Sequence, residues 1–272
     1  MSNTDNPFQA PQYRPPMQPS FDTPFPPPKP GSVVMEYMRV YNYIFENPNW
    51  FMNLVLLAVC QLIPIVGPIV GLGYQFFVVE ALHRRTHVTY PDFDFNRFGD
   101  YLLRGVWPFL VSLIVAMILV PLFYAVMIVG VLVVAGAAAA AGPDWGGVVG
   151  GVLGLIMFFG LFAFGLGLNF VIQPMFLRAG LSQDFGQAFN FSFVKDFCAR
   201  VWKEMLAFWL FVMVTGMLVA LAGFVACFVG MYVAIAVLIL AQAHGLFQLY
   251  ELHLSRGGMP IPLKTEVPRY AG

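Results

Sequence analysis

The sequence predicts an all-α integral membrane protein: six transmembrane helices arranged as three hairpins, each preceded by a short interfacial amphipathic helix. Three observations carry this expectation. Of 272 residues, 59% are hydrophobic and 10% charged, against about a quarter charged in a soluble domain. The apolar residues are gathered into long uncharged runs, each interrupted near its middle by Gly or Pro. Under the six-crossing reading every Lys and Arg falls on one side, as the cytoplasmic segments of membrane proteins require.

The first 31 residues are polar and crowded with proline, from Pro7 to Pro30. Such a segment holds too little apolar mass to pack, so 1–31 is expected to be a disordered, partly polyproline-II cytoplasmic tail. It lacks the basic start and apolar stretch of a signal peptide, which leaves the first membrane helix to direct insertion. Phe25-Pro26-Pro27-Pro28-Lys29-Pro30 could dock in the aromatic groove of a cytoplasmic protein partner. An unstructured spacer is the simpler expectation.

The membrane domain is expected over 32–254. Val34, Tyr37, Met38, Tyr41, Ile44 and Phe45 recur at helical spacing opposite Glu36, Arg39 and Asn42, predicting an interfacial helix over Val34 to Phe45. Trp50 follows where an interfacial aromatic belongs. From Phe51 to Val79 no charge occurs, and one straight helix of that length would rise about 44 Å, beyond the roughly 30 Å hydrocarbon core. Pro64, Gly67 and Pro68 interrupt it, so two short crossings joined by a tight turn are predicted.

The same layout returns twice. Phe95, Phe98 and Leu102 oppose Asn96, Arg97, Asp100 and Arg104, and lead through Trp107 into a run that turns at Gly142-Pro143-Asp144. Phe185, Phe189, Phe193 and Phe197 then oppose Lys195, Asp196, Arg200 and Lys203, and lead through Trp202 to a third hairpin centred near Gly230. Interfacial helices are expected over Phe95 to Leu103 and Phe185 to Phe197. The segment 255–272 is expected to be a short cytoplasmic tail. All 14 Lys and Arg then share one side with both termini, which predicts a plasma or inner membrane protein with cytoplasmic ends.

Several motifs together resemble a bacterial and archaeal membrane family catalogued as domain of unknown function 4013. They are Trp50, the break Ile63-Pro64-Ile65-Val66-Gly67, Gly73-Tyr74, Tyr90-Pro91-Asp92-Phe93-Asp94 leading to Arg104-Gly105, and His244-Gly245. The resemblance extends over roughly Tyr37 to His253, and Phe93 stands where the family usually has tryptophan. It implies a multi-pass helical architecture and no particular chemistry.

Polar residues inside apolar runs are the candidates for function, because lipid penalises them unless they face water or one another. Asn169 and Gln173 lie one turn apart on the fourth crossing, His244, Gln248 and Glu251 form a stripe on the sixth, and Gln75 and Glu80 sit on the second. Gln75, Asn169, Gln173, His244 and Gln248 are therefore candidates for a cytoplasm-facing polar cavity. Interhelical hydrogen bonding is the plainer account and is preferred, since no acidic residue sits at mid-depth. Glu80, His83 and His87 have a spacing that metals use, but only one Glu-x-x-His is present where di-iron bundles use two. A solvated helix end is preferred there, and neither a metal nor any other cofactor is expected. Gly146, Gly150 and Gly154 repeat at i+4 and predict close helix packing within the bundle.

Three scattered cysteines, Cys60, Cys198 and Cys227, have no metal or redox spacing. No phosphate-binding glycine loop, nucleophile elbow or zinc-protease motif occurs. The leading expectation is a non-enzymatic scaffold or accessory membrane subunit in contact with membrane lipids. A small-solute transporter or channel is second, and a membrane-embedded enzyme centred on Glu80, His83 and His87 is third.

Overall fold

The computed structural model describes residues 34–87 and 89–264. The expected disorder of 1–31 falls outside the described residues, as does the end of the C-terminal tail. Helix α1 (Arg39–Asn42) passes into a 3-10 turn at Tyr43–Glu46, and α2 (Trp50–Gln61) and α3 (Val66–His83) form a first hairpin. A second 3-10 turn at Phe95–Arg97 leads into α4 (Phe98–Ala140), which pairs with α5 (Gly142–Ser182). Helix α6 (Phe185–Ala188) precedes α7 (Phe191–Val225), which turns back at Ala226 into α8 (Cys227–Ser255).

Each hairpin turn has a local cause. At the first, Pro64 and Pro68 have no amide donor, and Ile65 adopts φ 66. The Val66 N–H then bonds the Pro64 carbonyl at 2.7 Å, a γ-turn of the strained hand. At the second, Gly142 takes φ 78, which costs glycine nothing, and Pro143 opens α5 in the first helical turn, where its missing N–H is not needed. At the third, Gly223 and Gly230 face each other so closely that a Cβ on either would meet the other's backbone.

The structure departs from the sequence expectation at the interfacial helices. Only four-residue helices, α1 and α6, precede the first and third hairpins. The amphipathic stretch after Phe98 is continuous with α4, and that after Phe191 with α7. No residue between Phe98 and Val106 interrupts helical hydrogen bonding, because an isolated glycine such as Gly99 or Gly105 is tolerated. A trace of the expected division survives in α7 as a kink at Val201, φ -127 and ψ 18.

Five helices, α3, α4, α5, α7 and α8, are long and apolar enough to cross a membrane. Helix α2 has 12 residues and rises only about 18 Å, short of the roughly 30 Å a crossing needs. The first hairpin exists where Pro64 places it, with α2 a shorter apolar helix than the other five.

The core is built around α3 and α8, with Val70, Tyr74, Phe76, Val78, Phe208, Leu240, Ala243 and Leu249 all fully or almost fully buried. The α3–α4 crossing is a glycine contact: a Cβ at Gly73 would land on the Tyr101 carbonyl, and one at Gly105 on the Ile69 carbonyl. Beyond Val111 no residue of α4 is buried, and in α5 burial is confined to Gln173–Ser182. The long α4–α5 hairpin thus touches the rest of the fold only near its polar end. Within it, Gly146 and Gly150 pack on Ala138 as expected, while Gly154 faces open space.

The described part of the C-terminal tail packs against this polar end. Ile261 is buried and its N–H donates to the Tyr250 hydroxyl at 2.8 Å, while the Met259 N–H donates to Asp196 Oδ2 at 3.1 Å.

Candidate functional site

The polar end is organised by the segment around α1. Tyr43 donates its hydroxyl to the Leu240 carbonyl at 2.6 Å, Tyr41 shares a 2.7 Å hydrogen bond with Thr215, and Tyr90 donates to the Ile44 carbonyl at 2.9 Å. The rings of Tyr43 and Tyr90 meet edge to face at 5.3 Å. Burial pushes the Tyr90 hydroxyl up to about 12, so it stays a neutral donor. One short segment is thereby tied to α7, α8 and the loop after α3.

Between this segment, the end of α3 and α8 lies an open cleft of about 290 Å³, lined in part by Glu36, Arg39, Arg85, His87, His244 and Gln248. His244 and Gln248 are therefore brought together at this cleft. Gln248 Nε2 lies 2.9 Å from His244 Nδ1 and also donates to the Glu36 carbonyl, while the Glu36 N–H donates to Gln248 Oε1 at 2.7 Å. The His244 ring stacks on Tyr43 at 4.2 Å. Gln75, Asn169 and Gln173 are not among the cleft's lining residues. Gln75 and Gln173 are buried in the bundle, and Asn169 donates to the Gly165 carbonyl of its own helix at 2.9 Å.

The Glu80, His83 and His87 spacing resolves into separate contacts. Glu80 is 3% exposed and is held by two arginines, Arg84 at 2.7 Å and Arg104 of α4 at 2.6 Å. His83 instead meets Glu251 of α8 at 2.6 Å, and His87 Nδ1 lies 3.0 Å from the Thr86 hydroxyl. Among the described residues no group of three His, Cys, Asp or Glu converges as a metal site would.

A third arrangement joins Asp92 to asparagines that lie far from it in the sequence. Asp92 accepts hydrogen bonds from Asn47, Asn49 and Asn53 at 3.0, 2.7 and 2.8 Å. Asn53 Oδ1 also accepts the Phe93 N–H at 2.9 Å. Partial loss of water pushes the Asp92 carboxyl up, but the amide hydrogen bonds from Asn53, Asn49 and Asn47 outweigh it, leaving its pKa below the usual aspartate value. The signal available in the sequence was the run of asparagines at 47, 49 and 53, whose shared partner lies some forty residues on.

Residues 56–229 match the model of the family described as protein of unknown function (DUF4013). The chain belongs to the DUF4013 family. No curated protein and no solved structure matches it. The DUF4013 region includes the Glu80–Arg104 pair and the Gly73–Gly105 crossing. It stops short of Trp50 at one end and of His244-Gly245 at the other, so the match is narrower than Tyr37 to His253. The cleft is therefore built partly from segments outside the DUF4013 match.

Proposed function

We propose that this DUF4013 member is a multi-pass protein of the plasma or inner membrane, with both termini cytoplasmic, that acts as a non-enzymatic scaffold or accessory subunit. The observation that carries the reading is the α4–α5 hairpin. Its most apolar window is entirely unburied, and Ile128, Val129, Leu132, Leu155, Ile156 and Phe159 point away from the rest of the fold. An apolar surface of that extent is expected only where lipid or other membrane helices cover it. The cytoplasmic assignment is supported by positive charge: the described Lys and Arg residues lie at the polar end, and the α4–α5 turn has Asp144 instead. Because every unit is a hairpin, both ends share a side however deep each one reaches.

The test is co-purification from native membranes in mild detergent, with the hairpin's outward face intact or altered by Val129→Arg and Ile156→Arg. Stoichiometric recovery of one membrane partner, lost in the variant, supports the scaffold; a chain that purifies alone in both forms counts against it. The same experiment without residues 1–31 tests the proline-rich tail as a binding element for a cytoplasmic protein.

A second reading, a small-solute transporter or channel, is favoured by one observation. The cleft brings cationic Arg39 and Arg85, acidic Glu36 and Glu46, and the polar pair His244 and Gln248 around one open volume. Solute flux in proteoliposomes that responds to His244→Ala would favour this reading over the scaffold.

A further inference from the structure

The first hairpin, α2–α3, is anchored in a way that measures its depth. Asn53 of α2 bonds both Asp92 and the Phe93 backbone, and the Tyr74 hydroxyl of α3 donates to the Pro91 carbonyl at 2.8 Å. The two arms are therefore pinned at one level by the loop 90–93. Asp92 is exposed and hydrogen-bonded as a carboxylate, so that level lies in water or among lipid headgroups. From Asn53 to Gln61 on one arm, and from Tyr74 back to Val66 on the other, the chain climbs eight residues, about 12 Å. Two independent arms give the same height, and it is less than half of the roughly 30 Å hydrocarbon core.

The turn at the top is built for lipid rather than for water. Leu62, Ile63 and Ile65 are exposed there and no polar side chain accompanies them; Gln61, just below, donates to the Gly67 carbonyl at 3.1 Å. The N–H groups of Leu62, Ile63, Val66 and Gly67 are bonded inside the turn, and Pro64 and Pro68 have none. Hydrocarbon demands such internal satisfaction, since each unbonded backbone group costs several kcal/mol there. The strained γ-turn at Ile65 supplies the Val66 bond and leaves the Ile65 N–H as the one donor of 62–67 without a backbone partner. By contrast the α4–α5 turn places Asp144 and an exposed Trp145 at its tip, as a segment emerging on the far side would.

We infer that α2–α3 is a re-entrant half-hairpin that enters and leaves the membrane on the side of Asp92, and that its outer face packs against the acyl chains of that one leaflet. That face is Val59, Leu62, Ile63 and Ile65, all exposed, with Phe51 and Met52 exposed below it at the headgroup level. The inner arm, α3, is 72% buried over its apolar window, where the α4 and α5 windows are fully unburied. It is sheltered by protein, as α3 must be if it stops partway through the bilayer. Four helices, α4, α5, α7 and α8, then make the crossings, and the half-hairpin adds cross-section to one leaflet only. Naming that leaflet cytoplasmic rests on the orientation proposed above; the depth does not.

The experiment uses the full chain with its native cysteines replaced, in sealed membrane vesicles of both orientations. Single cysteines at His87→Cys, Asp144→Cys and Ile65→Cys are treated with a membrane-impermeant maleimide. The expected result is labelling of positions 87 and 144 from opposite faces, and of position 65 from neither face until detergent is added. A nitroxide at position 65 should be relaxed more by oxygen than by a water-soluble nickel chelate. Labelling of position 65 from the face that labels 144 would overturn the inference by showing a full crossing, and labelling from the face that labels 87 would overturn it by showing no insertion. Exchange of the faces for 87 and 144 would refute the orientation alone. Leu62→Cys repeats the measurement should the Ile65 variant fail to fold.

Discussion

Glu80 of α3 and Arg104 of α4 form an ion pair of 2.6 Å with both side chains less than a tenth exposed. It lies next to the glycine crossing of Gly73 and Gly105, so the backbones and the charges of the two helices are matched together. Arg84 takes the other oxygen of Glu80, and Arg104 also reaches Gln183 in the left-handed cap of α5 once that amide is oriented to accept.

Removing one partner of a buried pair strands the other charge. Arg104→Leu is expected to lower stability by about 3 kcal/mol, the low end for such pairs, because Arg84 still holds Glu80. The double variant Arg104→Leu with Glu80→Met should recover part of that loss. Thermal unfolding in detergent reads both, and equal stability of the wild-type chain and Arg104→Leu would show that the pair contributes nothing.

Gly105→Ala is expected to separate α3 from α4 and cost at least 1–3 kcal/mol, since its methyl would occupy the place of the Ile69 carbonyl. Gly151→Ala, with open space around it, should be silent or slightly stabilising through helix propensity. A comparison of the two melting temperatures checks the α3–α4 contact directly.

Asp92 gives a pH signature. Its folded pKa is depressed, so its contribution is complete above the unfolded value near 3.9 and disappears as pH falls through the lower folded value. Asp92→Asn should therefore destabilise the chain at neutral pH by on the order of 1 kcal/mol, reduced by the exposure of the site. The gap between variant and wild type should close as pH drops from 5 towards 3. A gap that is constant over that range would exclude a role for the carboxylate charge.

His244→Ala removes a ring stacked on Tyr43 and a hydrogen bond to Gln248. In a structural network the expected loss is about 1 kcal/mol with no change in solute permeability of proteoliposomes. Altered permeability with unchanged melting temperature would transfer the site to the transport reading.

The sequence by itself determined the long apolar helices, the three turns near Pro64, Gly142 and Gly230, the grouping of positive charge at one end, and the family resemblance. Those are local properties: a proline withholds a donor and a glycine admits a turn whatever lies around them, and an uncharged run needs an apolar environment. Only the tertiary structure decided what depends on distant partners. Glu80, spaced as if for a metal with His83, is held instead by Arg104, while His83 is matched to Glu251, 168 residues away. Gln248 is used up on the backbone of Glu36, 212 residues away. The height of the first hairpin was likewise out of reach, because the apolar run from Phe51 to Val79 has length enough for two short arms but does not say where the water begins. That level is set by Asn53 and Tyr74 meeting the loop at Asp92, a contact between segments that no periodicity within either one encodes.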